Sequence, residues 1–571
     1  MPEISVKALK RLQGKAAAME MEFMQWRPHF QELAKYLLPR RYVWVSEKSP
    51  LQSSSSSDTR SQQNANRASK QKNEYILDPT GTKALRDMAA GMLNGITSPS
   101  RPWLRLRPGG VEFNNQDLEQ KAYTDEVTRR MYIVLAESNF YSAMAIQFLD
   151  LGAFGSAAVL AYEDFDDVVR FYNSPIGEFR FAQDYRRMVD TFSRTIVMTI
   201  RQAAQQFGEG NLPKKYKPQL KEGGKRLEEF IVVSHLIEPN TENEEVSLPS
   251  KFAYREFYWD ASDNTGHILA QAGYQEKPGS WPRWEPVGND VYGTSPAMDA
   301  LPDVIQLQHS ILRKGQAMDK IVNPPVVMEG FMAAKQSSLL PGGRTTAPAG
   351  ASFGAKAVYT VNPPLDAMTL DNQDLRIRIQ QAFHNDLFRM ISSLDTVRSA
   401  TEIDARKEEK LVLLGSVLER FENESLDPII RRVYNIMKRK GLLPEPPESM
   451  QDGDIEIEYV SILTDAQRAV GTATIERFLE MYAQVSALQP EVIPTVDINE
   501  VLRDYGDRLS IPATHFRSRE DADAINSENA QLTQERESAL VGKDLTEAAK
   551  NLSETDVGGG QNAMARLLGA S

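Results

Sequence analysis

The sequence predicts an α+β protein that is mostly helical. Residues before about 157 and after about 297 carry apolar side chains three or four positions apart, which is the period of an amphipathic helix. Between about Ala157 and Gly273, short runs rich in β-branched and aromatic residues alternate with turn signals, which is typical of strands. The 571 residues are 41% hydrophobic and 25% charged, close to the globular average. The chain is therefore long enough for about three to five structural units.

The N-terminal region is predicted to be helical. Residues 5–38 should form the first helix, in which Pro28 is expected to introduce a kink or to start a second helix. The next stretch, 49–73, has almost no apolar residue and is interpreted as a polar surface loop. Helical spacing returns over residues 80–95 and 117–151.

Two long helices, separated by an insert, follow the strand-rich region. The first covers about residues 297–322, and the second covers about residues 370–391. The insert, 326–364, holds Gly, Pro, Ala and short apolar runs, which indicate a small β element. The stripe of the first helix is Leu301, Val304, Ile305, Ile311, Leu312, Met318 and Ile321. The stripe of the second helix steps by four through Leu375, Ile379, Phe383, Leu387 and Ile391, which indicates one narrow packing face.

A third long helix is predicted to begin at Ser399, which forms a capping box with Glu402. Pro428 should kink this helix, and Gly441 suits the left-handed position that follows its last turn. Residues 465–540 are again helical in pattern and rich in acids, whereas the residues after 540 are expected to be loosely ordered.

The composition excludes several classes of function. The chain has no cysteine, so disulfides, thiolate zinc sites, iron–sulfur clusters and thiol catalysis are ruled out. The formal net charge is −12, and residues 441–571 hold 24 acidic and 10 basic side chains, so the acidity lies at the C-terminal end. A protein that holds nucleic acid by its phosphates usually has a basic excess, which this chain lacks.

The sequence shows no membrane-spanning or secretory segment. Its longest apolar stretch, residues 151–162, is well short of the ~20 residues that cross a bilayer. The N-terminus is basic, but no apolar signal-peptide core follows it. The protein is therefore expected to be made and kept in a cytoplasm.

No catalytic motif is present. The sequence lacks a Walker-type phosphate loop, a G-x-G-x-x-G fingerprint and a G-x-S-x-G elbow, and none of its six histidines has a histidine three or four residues away. Two acidic groups could bind Ca²⁺ or Mg²⁺, although a turn and the solvent face of a strand explain them more simply. They are Asp164, Asp166 and Asp167, and Asp452, Asp454, Glu456 and Glu458. Long helices without a catalytic constellation favour a role in assembly.

Four stretches, in order, resemble the portal, or head-to-tail connector, proteins of short-tailed bacteriophages. The most specific is residues 281–303, which contains Arg283-Trp284, Gly288, Tyr292-Gly293 and Ser295-Pro296. The other three are residues 26–40, 78–106 and 401–441. The resemblance covers about residues 20–510.

The resemblance implies a ring, usually of twelve subunits, at one capsid vertex, with parts called wing, stem, clip and crown. In this sequence the wing would comprise residues 1–296 and 399–460, the stem helices 297–323 and 366–391, the clip 324–365, the tunnel loop 392–398, the crown 461–540 and a flexible tail 541–571. Leu301, Val304, Ile311, Met318, Leu375, Ile379, Phe383 and Leu387 would pack the stem.

The implied function is structural and not enzymatic, without a cofactor. Double-stranded DNA would pass through the ring during packaging and ejection, and the ring would dock the terminase large subunit, a tail adaptor, the major capsid protein and the scaffolding protein. The protein would be assembled in the host cytoplasm and then lie in the virion at the portal vertex.

The resemblance also suggests residues that line the DNA channel. The tunnel loop would be Ser392, Ser393, Leu394, Asp395, Thr396, Val397 and Arg398. Arg398, together with Arg376 and Arg378 on the second stem helix, would provide a modest positive collar, although ion pairs are an equal explanation for these arginines.

Two other functions remain open at this stage. One is a different virion structural protein, such as a tail or internal protein, which closed cyclic symmetry would exclude. The other is a metal-dependent nuclease that uses Asp164, Asp166 and Asp167.

Overall fold

The computed structural model of the chain divides into two units. Unit 1 comprises residues 1–111 and 122–470, and unit 2 comprises residues 112–121 and 471–571. The structure describes residues 5–46, 75–109, 118–222, 224–240, 248–249, 251–262, 267–322, 326–327, 356–357, 364–388, 415, 417–447, 450, 455–459, 478–485, 498, 501–502, 505 and 519–554. The polar loop predicted at 49–73 lies outside these residues.

A long N-terminal helix opens unit 1. Helix α1, Val6–Tyr36, begins where the Ser5 side chain accepts a hydrogen bond from the backbone of Ala8, at 3.0 Å. The alternative that Pro28 starts a second helix is wrong, because one helix continues through this residue. A kink at Pro28 stays a prediction. Phe23 and Phe30, on either side of the proline, are both fully buried, so tertiary packing outweighs the local cost of the proline.

Among the described residues, four more helices precede the strand-rich region. They are α2 at Tyr42–Val45, α3 at Thr80–Ile96, α4 at Leu118–Glu137 and α5 at Phe140–Phe154. Helix α5 ends at Gly155, whose backbone is left-handed with φ +68°. Helix α4 spans the boundary between the two units.

The predicted strand-rich region forms two antiparallel sheets. The strands are β2 Ala158–Glu163, β3 Val169–Ser174, β4 Phe179–Gln183, β5 Val189–Thr199, β6 Phe230–Pro239, β7 Tyr254–Asp260, β8 Ala270–Tyr274 and β9 Gly279–Ser280. One sheet has the order β3-β2-β9 and the other has the order β4-β5-β6-β7-β8. Helices α6 Ile200–Phe207 and α7 Lys217–Glu222 lie between β5 and β6 in the chain. The class predicted from sequence, α+β and mostly helical, is therefore confirmed.

The two long helices are α8, Pro296–Val322, and α9, Leu365–Ala382. At 1.5 Å per residue they are about 40 and 27 Å long. The small β element expected between them is present as β10, Val326–Val327, paired antiparallel with β11, Lys356–Ala357. Helix α9 ends earlier than predicted, because His384 has a left-handed backbone with φ +52°. Residue Ile391 and most of the insert lie outside the described part of the chain.

The third long helix predicted from Ser399 is described only from residue 415, so its capping box lies outside the described residues. A π-helical turn, Glu422–Leu426, leads directly into α10, Asp427–Arg439. The wider turn precedes Pro428, which lacks the N–H that an α-helical turn requires there. Gly441, at φ +68°, donates to the Lys438 carbonyl at 3.1 Å, and Leu442 donates to the Met437 carbonyl at 3.0 Å. This Schellman arrangement confirms the predicted C-terminal glycine.

One further strand pair completes the described part of unit 1. Strand β12, Ile455–Tyr459, pairs antiparallel with β1, Leu104–Pro108, although 346 residues separate them in the chain. In unit 2, α11 covers Arg519–Glu554 and residues 478–485 are helical. Helix α11 continues into the tail that was expected to be loosely ordered from 541, because the first glycine-rich run comes only at 558–560.

Aromatic side chains dominate the main core of unit 1. Phe30 lies with its ring centre within 6 Å of Phe23, Trp26, Phe154 and Tyr292. These contacts join α1 to α5 and to the segment before α8, and each fully buried ring contributes about 2–3 kcal/mol. None of the described helices is both long enough and apolar enough to cross a membrane.

Candidate functional site

The helix pair α8–α9 is buried near one end and exposed toward the other. Leu301, Val304 and Leu307 on α8 are buried, as are Leu375 and Ile379 on α9. Phe383 and Leu387, which follow α9, are buried as well. Ile311, one turn further along α8, is only partly buried.

The far half of the pair leaves apolar side chains exposed. On α8, the relative exposure is 45% at Leu312, 48% at Met318 and 83% at Val322. On α9, Leu370 is 66% exposed. Lys314 donates to the Thr369 hydroxyl at 2.7 Å and so links the two helices within this exposed half. The pair therefore extends from the core as a rod with an apolar surface that the described residues do not cover.

A polar lock joins the root of both helices to the start of α3. The Gln308 side chain accepts from the backbone N–H groups of Leu77 and Asp78, at 2.7 and 2.8 Å, and donates to the Asp78 carbonyl. Arg376 on α9 donates twice to the Asp78 carboxylate, at 2.8 and 3.0 Å. Burial raises the pKa of Asp78, but the hydrogen bonds from Thr80 and Arg376 outweigh it and lower that pKa below its usual value.

Two glycines of α3 allow close packing at this root. A Cβ at Gly81 would lie 2.8 Å from the Leu37 side chain and 3.0 Å from Val304. A Cβ at Gly91 would lie 2.3 Å from the Cβ of Phe388, just beyond α9. Both positions therefore need a residue without a side chain, which lets α3 approach its neighbours closely.

The segment before α8 forms a rigid junction with the end of α5. Gly155 and Gly293 meet backbone to backbone, since a Cβ at Gly155 would lie 2.0 Å from the Gly293 carbonyl oxygen. The Ser295 hydroxyl donates to the Ala153 carbonyl at 3.1 Å and accepts from the Met298 backbone at 3.2 Å. Ser295 therefore caps α8 and holds it to the core at the same point.

A buried ion pair ties the same segment to the π-helical turn. Arg283 donates from its backbone to Glu424 at 2.9 Å and from its guanidinium to Glu424 at 2.6 Å, and both side chains are at most 5% exposed. The next residue in the turn, Ser425, accepts from Ser280 at 2.7 Å. The wide turn thus directs two consecutive polar residues toward the sheet.

A second buried polar cluster connects the two sheets. Arg194 donates from Nε to Nδ1 of His235 at 2.8 Å and from Nη2 to the Tyr162 hydroxyl at 2.9 Å. Because Nδ1 accepts, His235 is neutral with its proton on Nε2, from which it donates to Glu256 at 2.7 Å. Burial lowers the pKa of His235 to about 4 and raises the pKa of Glu178, 3.8 Å from Arg194, to about 7.

The described channel candidates form ion pairs with carboxylates of the same chain. Arg376 pairs with Asp78, and Arg378 lies 3.6 Å from Asp303 and 3.4 Å from Asp374. Arg398 and the other tunnel-loop residues, Ser392, Ser393, Leu394, Asp395, Thr396 and Val397, lie outside the described residues.

The acidic residues considered as metal ligands lie in a turn. Asp164 accepts from the backbones of Asp166 and Asp167, at 2.7 and 3.1 Å, so its carboxylate closes the loop between β2 and β3. Within the part of the chain that the structure describes, no three acidic or histidine side chains form a group that could hold a metal ion. Glu458 on β12 pairs with Arg107 at 2.7 Å, and Asp452 and Asp454 lie outside that part.

Three polar locks, namely Asp78–Gln308–Arg376, Arg283–Glu424 and Arg194–His235, were not identified from sequence. Gln308, Arg194 and Glu424 stand in no short motif, and each finds its partner more than 40 residues away in the chain. Asp78, Arg283 and Glu424 do fall within the stretches that resemble portal proteins, which was the available signal.

In this mostly helical chain, buried polar contacts hold a helical rod whose outer half is exposed. Such an arrangement is typical of an architectural component of a larger assembly. Comparison with known proteins identifies the assembly. A family model described as "Bacteriophage head to tail connecting protein" matches residues 9–516. The chain belongs to this family, whose members are structural, and the resemblance found from sequence is confirmed.

Two curated relatives are similar over almost their entire length. The probable portal protein of Bordetella phage BPP-1 is 35% identical over 562 residues, which is 97% of each chain. The portal protein of Salmonella phage epsilon15 is 33% identical over 550 residues, which is 96% of this chain and 95% of the relative. The chain is therefore a phage head-to-tail connector of the portal type, a component of the virion with capsid and tail as its neighbours.

Proposed function

We propose that this connector forms a closed ring of twelve copies at one vertex of the capsid, and that its channel conducts double-stranded DNA during packaging and ejection. The observation that carries this proposal is the exposed apolar half of the α8–α9 pair. Leu312, Met318 and Val322 lie in water in the single chain, and neighbouring copies side by side would cover them.

The charge of the helix pair suits a channel through which DNA slides. Helices α8 and α9 together carry six acidic and five basic side chains, so they have little net charge. A strongly basic wall would bind phosphates and release counterions, which would hold the DNA in place. Arg376 and Arg378, already paired with carboxylates of the same chain, would provide only a weak positive collar, with Arg398 adding to it from the tunnel loop.

The parts of the ring follow the order of elements. The wing would be residues 1–296 and 399–460, the stem α8 and α9, the clip 324–365, the tunnel loop 392–398 and the crown 461–540. The terminase large subunit, the tail adaptor, the major capsid protein and the scaffolding protein would dock on this ring, which would be assembled in the host cytoplasm. No cofactor is needed for these roles.

Electron microscopy of the purified full chain tests the proposal. End-on class averages should show twelvefold rings with a hole wide enough for duplex DNA, and the protein alone should hydrolyse no ATP. A fibre or a sixfold ring would instead favour another virion structural protein. ATP hydrolysis or Mg²⁺-dependent DNA cleavage by the pure protein would contradict a purely structural role.

A further inference from the structure

Two hairpins of unit 1 have loops of the same length. The loop 164–168 joins β2 to β3, and the loop 184–188 joins β4 to β5. Each loop has five residues between a closing pair of strand residues, and the sequences are Asp-Phe-Asp-Asp-Val and Asp-Tyr-Arg-Arg-Met. Both therefore begin with an aspartate followed by an aromatic residue, on strands that belong to different sheets.

The first aspartate orders the acidic turn. Asp164 accepts from the backbones of Asp166 and Asp167, and its own N–H donates to the Val168 carbonyl at 3.0 Å. Lys440, at the end of α10, donates to the carbonyls of Asp164 and Val168 from behind the loop. The backbone of this tip is therefore held from two sides.

The first aspartate also orders the basic turn, with a different set of backbone donors. Asp184 accepts from the backbones of Arg186 and Met188, at 2.8 and 2.9 Å, and its N–H donates to the Met188 carbonyl at 2.9 Å. The Arg187 carbonyl accepts from the buried Arg283 at 2.7 Å, so the loop is connected to the core. Neither tip is free to fold back and bury its aromatic ring.

Each ordered turn presents its aromatic residue to solvent. Phe165 is 103% exposed and Tyr185 is 92% exposed, although most large aromatic residues of this unit are buried. A single exposed apolar residue is common on protein surfaces. Here the second residue of each of two hydrogen-bonded turns is an exposed aromatic residue. Rigid aromatic side chains are the usual anchors of protein interfaces.

The two tips carry opposite charge. Asp166 and Asp167 follow Phe165, with Arg170 3.9 Å from Asp167 and the Lys440 ammonium against the loop backbone as partial counter-charges. Arg186 and Arg187 follow Tyr185, and Arg186 pairs with the turn aspartate at 3.1 Å while its side chain stays 68% exposed. Like tips would therefore repel each other and unlike tips would attract.

We propose that the acidic Phe165 tip of one copy docks against the basic Tyr185 tip of the next copy. This inference rests on the proposed ring. In a closed ring every copy offers one surface to the neighbour on one side and a different surface to the other, and a pair of complementary tips fits this head-to-tail contact. The aromatic rings would pack together, with Arg186 and Arg187 facing Asp166 and Asp167 around them.

Cross-linking gives the first test, since the natural chain has no cysteine. Full-length Phe165→Cys and Tyr185→Cys proteins are purified separately, mixed, allowed to assemble and mildly oxidised. The mixture should give a disulfide-linked dimer, each variant alone should not, and a chain with both changes should give a ladder of linked copies. Met21→Cys, at a 71% exposed position on α1, replaces one partner as the control and should give no ladder.

Charge reversal gives the second test. Asp166→Arg with Asp167→Arg should raise the protein concentration needed for half-maximal ring formation about tenfold or more, as should Arg186→Glu with Arg187→Glu. The chain that carries all four changes should recover assembly, because its tips are again complementary. Thermal unfolding of each variant shows that the fold is kept.

The outcomes separate this inference from the proposed ring. Rings that form normally with either reversal, without a link between positions 165 and 185, would overturn the docking of the tips and leave the ring intact. A link between two Phe165→Cys chains would also overturn it. Loss of incorporation into capsids without any effect on rings would assign the tips to another virion protein instead. Absence of rings from the natural chain would overturn the proposed function itself.

Discussion

At the scale of single residues, unit 1 keeps several ionisable groups away from water. Burial raises the pKa of Glu178 to about 7 and the pKa of Asp150 to about 6, although Arg41 lies 2.9 Å from Asp150. Burial lowers the pKa of His235 to about 4. Each of these groups therefore prefers its neutral form more in the folded chain than in the unfolded chain.

Glu178 should make stability depend on pH. Because its pKa is higher in the folded chain than the usual 4.5, the folded state binds more protons between about pH 4.5 and pH 7. Its contribution is full at lower pH and is lost as the pH rises through 7, at a cost on the order of 3 kcal/mol. Glu178→Gln should lack this loss. The urea midpoint of the variant minus that of the natural chain should therefore increase between pH 4.5 and pH 7.5.

His235 should give the opposite dependence of stability on pH and therefore serves as a control for Glu178. Its folded pKa is below its usual value, so its contribution is present at neutral pH and is lost as the pH falls from about 6.5 to about 4. His235→Gln should therefore change the urea midpoint most at neutral pH. If Glu178→Gln and His235→Gln shifted the midpoint with the same pH trend, the protonation states assigned to this cluster would be wrong.

The Arg283–Glu424 pair should behave as a buried unit. Either Arg283→Met or Glu424→Leu alone leaves a buried charge without its partner and should lower the free energy of unfolding by about 3–5 kcal/mol. The double change should be less harmful than the sum of the single changes. Urea unfolding of the four proteins measures this coupling, and simple additivity would argue against a direct interaction.

At the scale of elements, helix α3 depends on two residues without side chains. Gly91→Ala should lower stability by about 1–3 kcal/mol, because the new methyl group meets Phe388 and outweighs the gain in helix propensity. Gly14→Ala on α1 is the matched control, because its Cβ would meet nothing within 4 Å. That variant should be more stable by up to about 1 kcal/mol in thermal or urea unfolding. Equal effects at both positions would contradict the close approach of α3.

Substitutions at different points along helix α8 should affect folding and assembly differently. Val304→Asp places a charge in the core at the root and should unfold unit 1, as judged by circular dichroism and proteolysis. Met318→Asp lies on the exposed half and should leave the single chain folded while reducing ring formation. Ile311→Asp, partly buried between them, should affect both. Rings formed by Met318→Asp at the natural concentration would show that neighbouring copies do not cover this face.

At the scale of the whole molecule, substitutions of Arg376 and Arg378 on α9 should have different effects. Arg376→Gln removes the ion-pair partner of Asp78 and should lower stability by about 1–3 kcal/mol. Arg378→Gln breaks only long, half-exposed contacts and should change stability by less than about 0.5 kcal/mol. In rings, Arg378→Gln should nevertheless alter the rate of DNA packaging, with Arg378→Lys as the charge-preserving control. An unchanged rate for Arg378→Gln would remove Arg378 from the channel wall.

Much of this molecule could be predicted from its residues alone. Side-chain periodicity depends on neighbours within one or two turns, so it located the long helices, the strand-rich region and the Gly441 terminus. The long matching stretches, which do not require any pairing to be known, identified the connector family. The absence of catalytic motifs likewise pointed to a role in assembly.

The tertiary structure alone decided how these parts are joined. The locks Asp78–Gln308–Arg376, Arg283–Glu424 and Arg194–His235 unite residues that are distant in the chain, and no local pattern encodes such a pairing. It also decided the continuity of α1 through Pro28 and the early end of α9, because the free energy of packing exceeds local preferences of about 3 kcal/mol or less. The exposure of Phe165 and Tyr185 at two loop tips was likewise decided by the fold, since residue type alone does not determine burial.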